Sequence, residues 1–129
     1  NKKIPLETQR GINARNQAMK IGDKSRFRVR MYFESTCPHC KRMMGTLNTL
    51  QNKGYFVEAL QLDKAPLHRA KFPLRVSRAN PQDAKKHNIT SVPFLLIADL
   101  ENKVISEPIK GFQSPKQIEN VLLLLKRKN

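Results

Sequence analysis

From residue 26 the chain alternates. Phe27, Val29, Met31 and Phe33 fall on one side and Arg28, Arg30 and Tyr32 on the other, the period of two that a half-buried strand requires. Ser35-Thr36-Cys37-Pro38 then reads as a helix start, because proline at the first helical position lacks only an N–H that would have no helical partner there. Met43, Met44, Leu47 and Leu50 recur at helical spacing, and Gly54 supplies a left-handed residue at which the helix can stop. Residues 55–63 predict a second strand. Strand, helix and strand in succession predict a parallel pair joined by a right-handed crossover.

Beyond that unit the pattern loosens. Residues 65–79 contain Pro66 and Pro73 and read as an irregular excursion. Asn80 can cap a short helix that opens on Pro81 and runs to about His87. Residues 94–98 are an apolar, central strand, residues 99–102 a turn, and residues 103–109 its antiparallel partner. Ser114-Pro115-Lys116-Gln117 resembles a capping box, and Ile118, Val121, Leu122 and Leu125 form the buried stripe of a last helix. Ahead of all this, residues 1–23 are polar, with a loose helical pattern in Leu6, Ile12, Ala18 and Met19, and read as a peripheral helix or a tether. The expected organisation is therefore that segment followed by one α/β domain over residues 24–129, a single sheet with helices on both faces.

Composition narrows the picture little. A length of 129 residues suits one core, and no apolar run approaches the roughly 18 residues of a membrane span. The chain opens on Asn1 with neither Met nor signal segment, so whatever preceded it is expected to have been removed. Lys and Arg number 25 against 10 Asp and Glu, a formal net charge of +15. These cations are spread from Lys2 to Lys128, and no glycine-rich or aromatic nucleotide-binding motif accompanies them. The expectation is a solvated basic surface that meets acidic partners or an anionic membrane surface, with no specific nucleic acid.

The chemistry lies in Cys37-Pro38-His39-Cys40, where the first strand hands over to the first long helix. A bridge between cysteines three positions apart stabilises a fold by only about 2 kcal/mol, too little to be its purpose. A zinc site needs about four ligands, and beyond the cysteines only the scattered His39, His68 and His87 are on offer, the latter two expected at the surface. Thiol exchange fits better. At a helix start, free N–H groups and the helix dipole stabilise a thiolate, and dithiols so placed titrate at about 3.5 to 7 against about 8.5 for free cysteine. Cys37 is the expected attacker and Cys40 the resolving thiol, while His39 adds positive charge and Pro38 stiffens the turn. A stabilised thiolate favours the reduced form, so the disulfide becomes oxidising. The rivals are a reductase, and a non-catalytic binding module or metallochaperone holding a soft metal such as Cu(I).

Ser91-Val92-Pro93-Phe94 opens the apolar strand, where proline is tolerated. A Cys-x-x-Cys followed by Val-Pro before such a strand resembles the thioredoxin superfamily, as does Gly111-Phe112 before the last helix. The resemblance implies a thioredoxin fold, with a central mixed four-stranded sheet and room for an extra strand. It implies a cis Pro93 beside the dithiol, Val92 offering backbone groups to a peptide substrate, and no cofactor beyond the dithiol. Within the superfamily the Cys-Pro-His-Cys tetrad resembles the bacterial DsbA oxidases, but residues 64–90 are too few for their helical insertion. Met31-Tyr32-Phe33, Leu60-Gln61-Leu62-Asp63, Lys71-Phe72-Pro73 and Ile109-Lys110-Gly111-Phe112-Gln113-Ser114 resemble the TraF/TrbB group of conjugative type IV secretion systems. That likeness implies a periplasmic disulfide oxidase or isomerase acting on cysteines of envelope or secretion-system proteins and reset by a redox partner. One position departs: many superfamily members carry a buried carboxylate six residues before the first cysteine, and here stands Met31. Glu34 is expected to be exposed, leaving water or His39 to move the proton.

Overall fold

A computed structural model describes residues 23–127; the expected helix or tether of residues 1–23 lies outside them except for Asp23. Asp23 caps a single 3₁₀ turn, Lys24–Arg26, and the chain enters β1, Phe27–Phe33. Helix α1, Pro38–Asn52, crosses to β2, Phe56–Gln61, which runs parallel to β1. Gly54, with φ of +106°, ends the helix, and the N–H groups of Gly54 and Tyr55 close back on the carbonyls of Gln51 and Leu50. No side chain is strained by that left-handed turn because glycine has none.

The excursion is shorter than expected. Its last residues form β3, Arg75–Arg78, a parallel partner of β2 at the sheet edge. With Val76 its one apolar residue, β3 has no alternation of its own, and pairing with Glu58 to Gln61 makes it a strand. Asn80 caps α2, Pro81–Lys86, through a 2.8 Å bond from the Gln82 N–H. Strand β4, Phe94–Asp99, lies antiparallel to β1. The expected partner of β4 is split into β5, Val104–Ile105, and β6, Ile109–Lys110, both pairing with β4. Pro108 falls between them, and a residue without N–H cannot continue a ladder. The sheet thus has six strands rather than four or five, ordered β3-β2-β1-β4-β5 with β6 also on β4. Helix α3, Pro115–Arg127, closes the fold behind a reciprocal box, Gln117 N–H to Ser114 Oγ at 3.2 Å and Ser114 N–H to Gln117 Oε1 at 2.7 Å.

The main core lies where α1 and α3 cover one sheet face, with Phe27, Val29, Met31 and Phe33 meeting Met43, Leu47, Leu50, Ile118 and Leu122. Tyr32 points to the other face but is fully buried, its ring 6.1 Å from that of Phe94 and 6.0 Å from that of His87. His87 and His68, expected at the surface, are only partly exposed, His68 with its ring 6.2 Å from that of Phe33. At the end of β1 that leads to the cysteines both sheet faces are therefore packed.

Candidate active site

Cys37 is the N-cap residue of α1, in extended backbone geometry, and its Sγ accepts the Cys40 N–H at 3.1 Å. Pro38 takes the first helical position, and the Cys37 N–H closes on the Glu34 carbonyl at 3.1 Å. The two cysteines form a disulfide, with Cα atoms 5.2 Å apart. Their exposure differs. Cys37 is half-buried and reachable, whereas Cys40 is 0 % exposed and belongs to the main core with Met31. His39 and Glu34 are exposed.

The Val92–Pro93 peptide bond is cis, and the Val92 carbonyl oxygen stands 3.9 Å from Cys37 Sγ. Proline 93 is buried and Val92 half-buried, so backbone at this strand entry borders the reachable sulfur. The structure thus brings together Cys37, Pro38, Cys40, Val92 and Pro93, with His39 next to them on the helix start. Among the described residues, no three His, Cys, Asp or Glu side chains converge as metal ligands would.

Sequence reasoning marks Gln61 and Asp63 only as part of a family-like segment, whereas the structure makes them the support beneath the dithiol loop. Asp63, just past β2, accepts from the Ser35 N–H at 2.9 Å and the Ser35 hydroxyl at 2.7 Å. Gln61, fully buried, donates to Asp63 Oδ1 at 2.6 Å and to the Ala65 carbonyl at 2.9 Å, and accepts the His68 N–H at 2.9 Å. A signal for Gln61 did exist: it continues the inward-facing series Val57, Ala59, where a polar residue needs internal partners. The Ser35 hydroxyl and N–H hold the Asp63 carboxyl below the usual carboxylate range. Ser35→Ala should raise the Asp63 titration midpoint part of the way back, since the N–H remains. Carboxyl carbon shifts followed against pH would read this, and an unmoved midpoint would exclude the hydroxyl as the cause.

A mixed sheet with parallel β1 and β2, antiparallel β4, and cysteines at the first turn of the crossover helix defines the class: this is a thioredoxin-like domain with a dithiol at its helix start. Solved structures bear this out. The chain is similar to StoA from Bacillus subtilis at 13 % identity and a TM-score of 0.60, over 78 % of this chain and 84 % of that one. It is similar to the exposed lipoprotein thioredoxin Etrx1 from Streptococcus pneumoniae strain TIGR4 at 15 % identity and a TM-score of 0.61, over 78 % and 85 %. A thiol-disulfide isomerase from Corynebacterium glutamicum is similar at 17 % identity and a TM-score of 0.53, over 83 % and 85 %. No protein-family model and no curated protein sequence matches the chain. Among the described residues no helix is long and apolar enough to cross a membrane.

Proposed function

We propose that the protein is a periplasmic thiol–disulfide oxidoreductase of the TraF/TrbB kind, with a DsbA-like Cys-Pro-His-Cys tetrad. It passes its disulfide to cysteines of envelope or secretion-system proteins, or rearranges disulfides already formed there. One observation carries the reading: the reachable sulfur sits at a helix N-cap and accepts the N–H of the residue bearing the sealed one. In the oxidised protein a client thiolate attacks Cys37 Sγ, the Sγ–Sγ bond breaks, and Cys40 leaves as a thiolate. A second client thiolate attacks the client sulfur held on Cys37, forms the client disulfide, and expels Cys37 as a thiolate. The client has lost two electrons and two protons, and the protein holds a dithiol. A redox partner's disulfide restores it by the same exchange.

The N-cap acts at the expulsion step, because a thiol of lower pKa leaves faster and each pKa unit is worth about 1.4 kcal/mol. A Cys37 thiolate held by an N–H also makes the protein's disulfide the less stable partner, which drives electrons toward it. The pneumococcal neighbour is described as an exposed lipoprotein, which supports a place outside the cytoplasm. The test is equilibration of the protein with mixtures of reduced and oxidised glutathione. A reduction potential nearer about −120 mV than −270 mV is expected. A value near the latter would reassign the protein as a reductase. A soft metal retained at unit stoichiometry, with no exchange activity, would make it a metallochaperone.

A further inference from the structure

The loop between β6 and α3 is tied at one end to the cis peptide bond beside the dithiol and at the other to α1. The Gly111 N–H donates to the Pro93 carbonyl at 3.1 Å, so the loop begins beside the cis peptide bond. The Gln113 N–H reaches Met43 Sδ at 3.4 Å, and the Gln113 carbonyl accepts the Thr46 hydroxyl at 2.8 Å, so it ends on α1. Gly111 has φ of +84°, the left-handed conformation that lets the chain turn between these anchors. Phe112, between them, is turned outward and 38 % exposed. The Arg42 guanidinium lies over its ring, 4.3 Å from the centroid.

Arg42 is three residues after His39 on α1, one helical turn from the end that holds Cys37. Stacking fixes the guanidinium in place and leaves its charge unneutralised. Arg26, Arg30 and Lys53 are ion-paired, but Arg42 has no carboxylate partner among the described residues. Lys41, next to it on α1, and Lys110, two residues before Phe112, are exposed too. Of the acids near the dithiol, Asp63 is committed to Ser35 and Gln61 on the β2 side, and Glu34 is exposed after β1. The β4 side of the dithiol therefore presents an aromatic ring and a guanidinium that no carboxylate among the described residues pairs.

We infer that Phe112 and Arg42 form a docking point for an acidic residue near the client cysteine, so that cysteines flanked by Asp or Glu are exchanged in preference to those flanked by Lys or Arg. A client strand laid along Val92 runs on toward Gly111, because Pro93 and Gly111 are hydrogen-bonded neighbours. The inference rests on the oxidoreductase reading and names its substrate class.

The experiment measures the oxidation of short dithiol peptides whose cysteines are flanked by Glu, Gln or Lys. Each rate is divided by the rate of the same peptide with 2-hydroxyethyl disulfide, an uncharged oxidant, which removes the effect of the flanks on the peptide thiol itself. At low salt the Glu peptide should be favoured over the Lys peptide by about fivefold, the order expected of an exposed ion pair, and the preference should shrink at high salt. Arg42→Gln and Phe112→Ala should both lower this ratio. Arg75→Gln is the control: its guanidinium stacks on Phe56 at 4.3 Å and reaches Gln51 near the far end of α1, so it removes the same charge remote from the dithiol. A ratio near one in the parent protein, or a ratio that falls as much in Arg75→Gln as in Arg42→Gln, would overturn the docking point. Failure of every peptide to outpace its reaction with 2-hydroxyethyl disulfide would instead overturn the oxidoreductase reading, and this inference with it.

Discussion

Cys37→Ser is expected to reduce thiol exchange to the uncatalysed level, and Cys40→Ala to leave the protein covalently joined to its clients. The two outcomes differ because the two sulfurs do. Cys37 is reachable and stands at the helix start, so it alone can be attacked by a client or attack one. Cys40 is fully buried beneath it, and its role is to leave when a client attacks Cys37 and to displace a client that stalls there. In Cys40→Ala the Cys37 thiolate attacks a client disulfide, one client sulfur leaves as a thiolate, and the mixed disulfide so formed has no intramolecular route of escape. Non-reducing gels of cells expressing this variant should show adducts that disappear on reduction and are missing when Cys37 is also replaced. An absence of adducts would sink the catalytic assignment. Alkylation of the reduced parent protein should likewise mark Cys37 well before Cys40.

The second large effect concerns stability. Asp99 ends β4 and is fully buried, and Arg26 grips it with two bonds, Nε to Oδ1 at 2.9 Å and Nη2 to Oδ2 at 2.8 Å. Asp99 Oδ1 also accepts the Glu101 and Asn102 N–H groups at 3.0 and 3.3 Å, shaping the turn into β5. Asp99→Ala should cost about 3–5 kcal/mol, because it leaves a mostly buried guanidinium with only the exposed Glu101 carboxylate at 3.4 Å as counter-charge. Adding Arg26→Met should recover part of that loss, since an apolar side chain leaves no charge unpaired. Urea unfolding midpoints would measure both, and equal midpoints for parent and Asp99→Ala would refute the pairing. Burial by itself would raise the Asp99 pKa, but the hydrogen bonds from Arg26, Asn102 and Glu101 win and hold it below the ordinary value. The sign for stability follows. A carboxyl with a depressed folded pKa contributes fully above its unfolded pKa of about 3.9, and the contribution is lost as pH falls through the folded value. Stability should therefore decline in acid, and less steeply in Asp99→Asn.

Legibility in the sequence followed the range of the interactions. The strand β1, the Cys37 cap with Pro38, the Gly54 stop and the Ser114–Gln117 box are written within a few residues each, so local pattern sufficed. The edge strand β3 is illegible because β2 makes it a strand, and Pro108 marks a break only against the ladder to β4, which local pattern does not show. Tyr32 sits on the face its register predicts; its burial comes from α2-side residues and Phe94, which alternation along β1 cannot encode. At the site, Cys37, Cys40, Val92 and Pro93 were legible as motifs. The Ser35–Asp63 tie, spanning 28 residues, and the Arg42–Phe112 stack join separate elements and carry no spacing signal.

The unequal exposure of the two sulfurs has a consequence for timing. A stalled adduct meets a thiol that solvent and the client's own groups do not reach, since that thiol approaches from inside the domain. For a client with no second thiol in reach, the dwell is then set by how readily the first turn of α1 lets its inner sulfur swing outward. Stalled clients of very different surface would share one internal clock for their release.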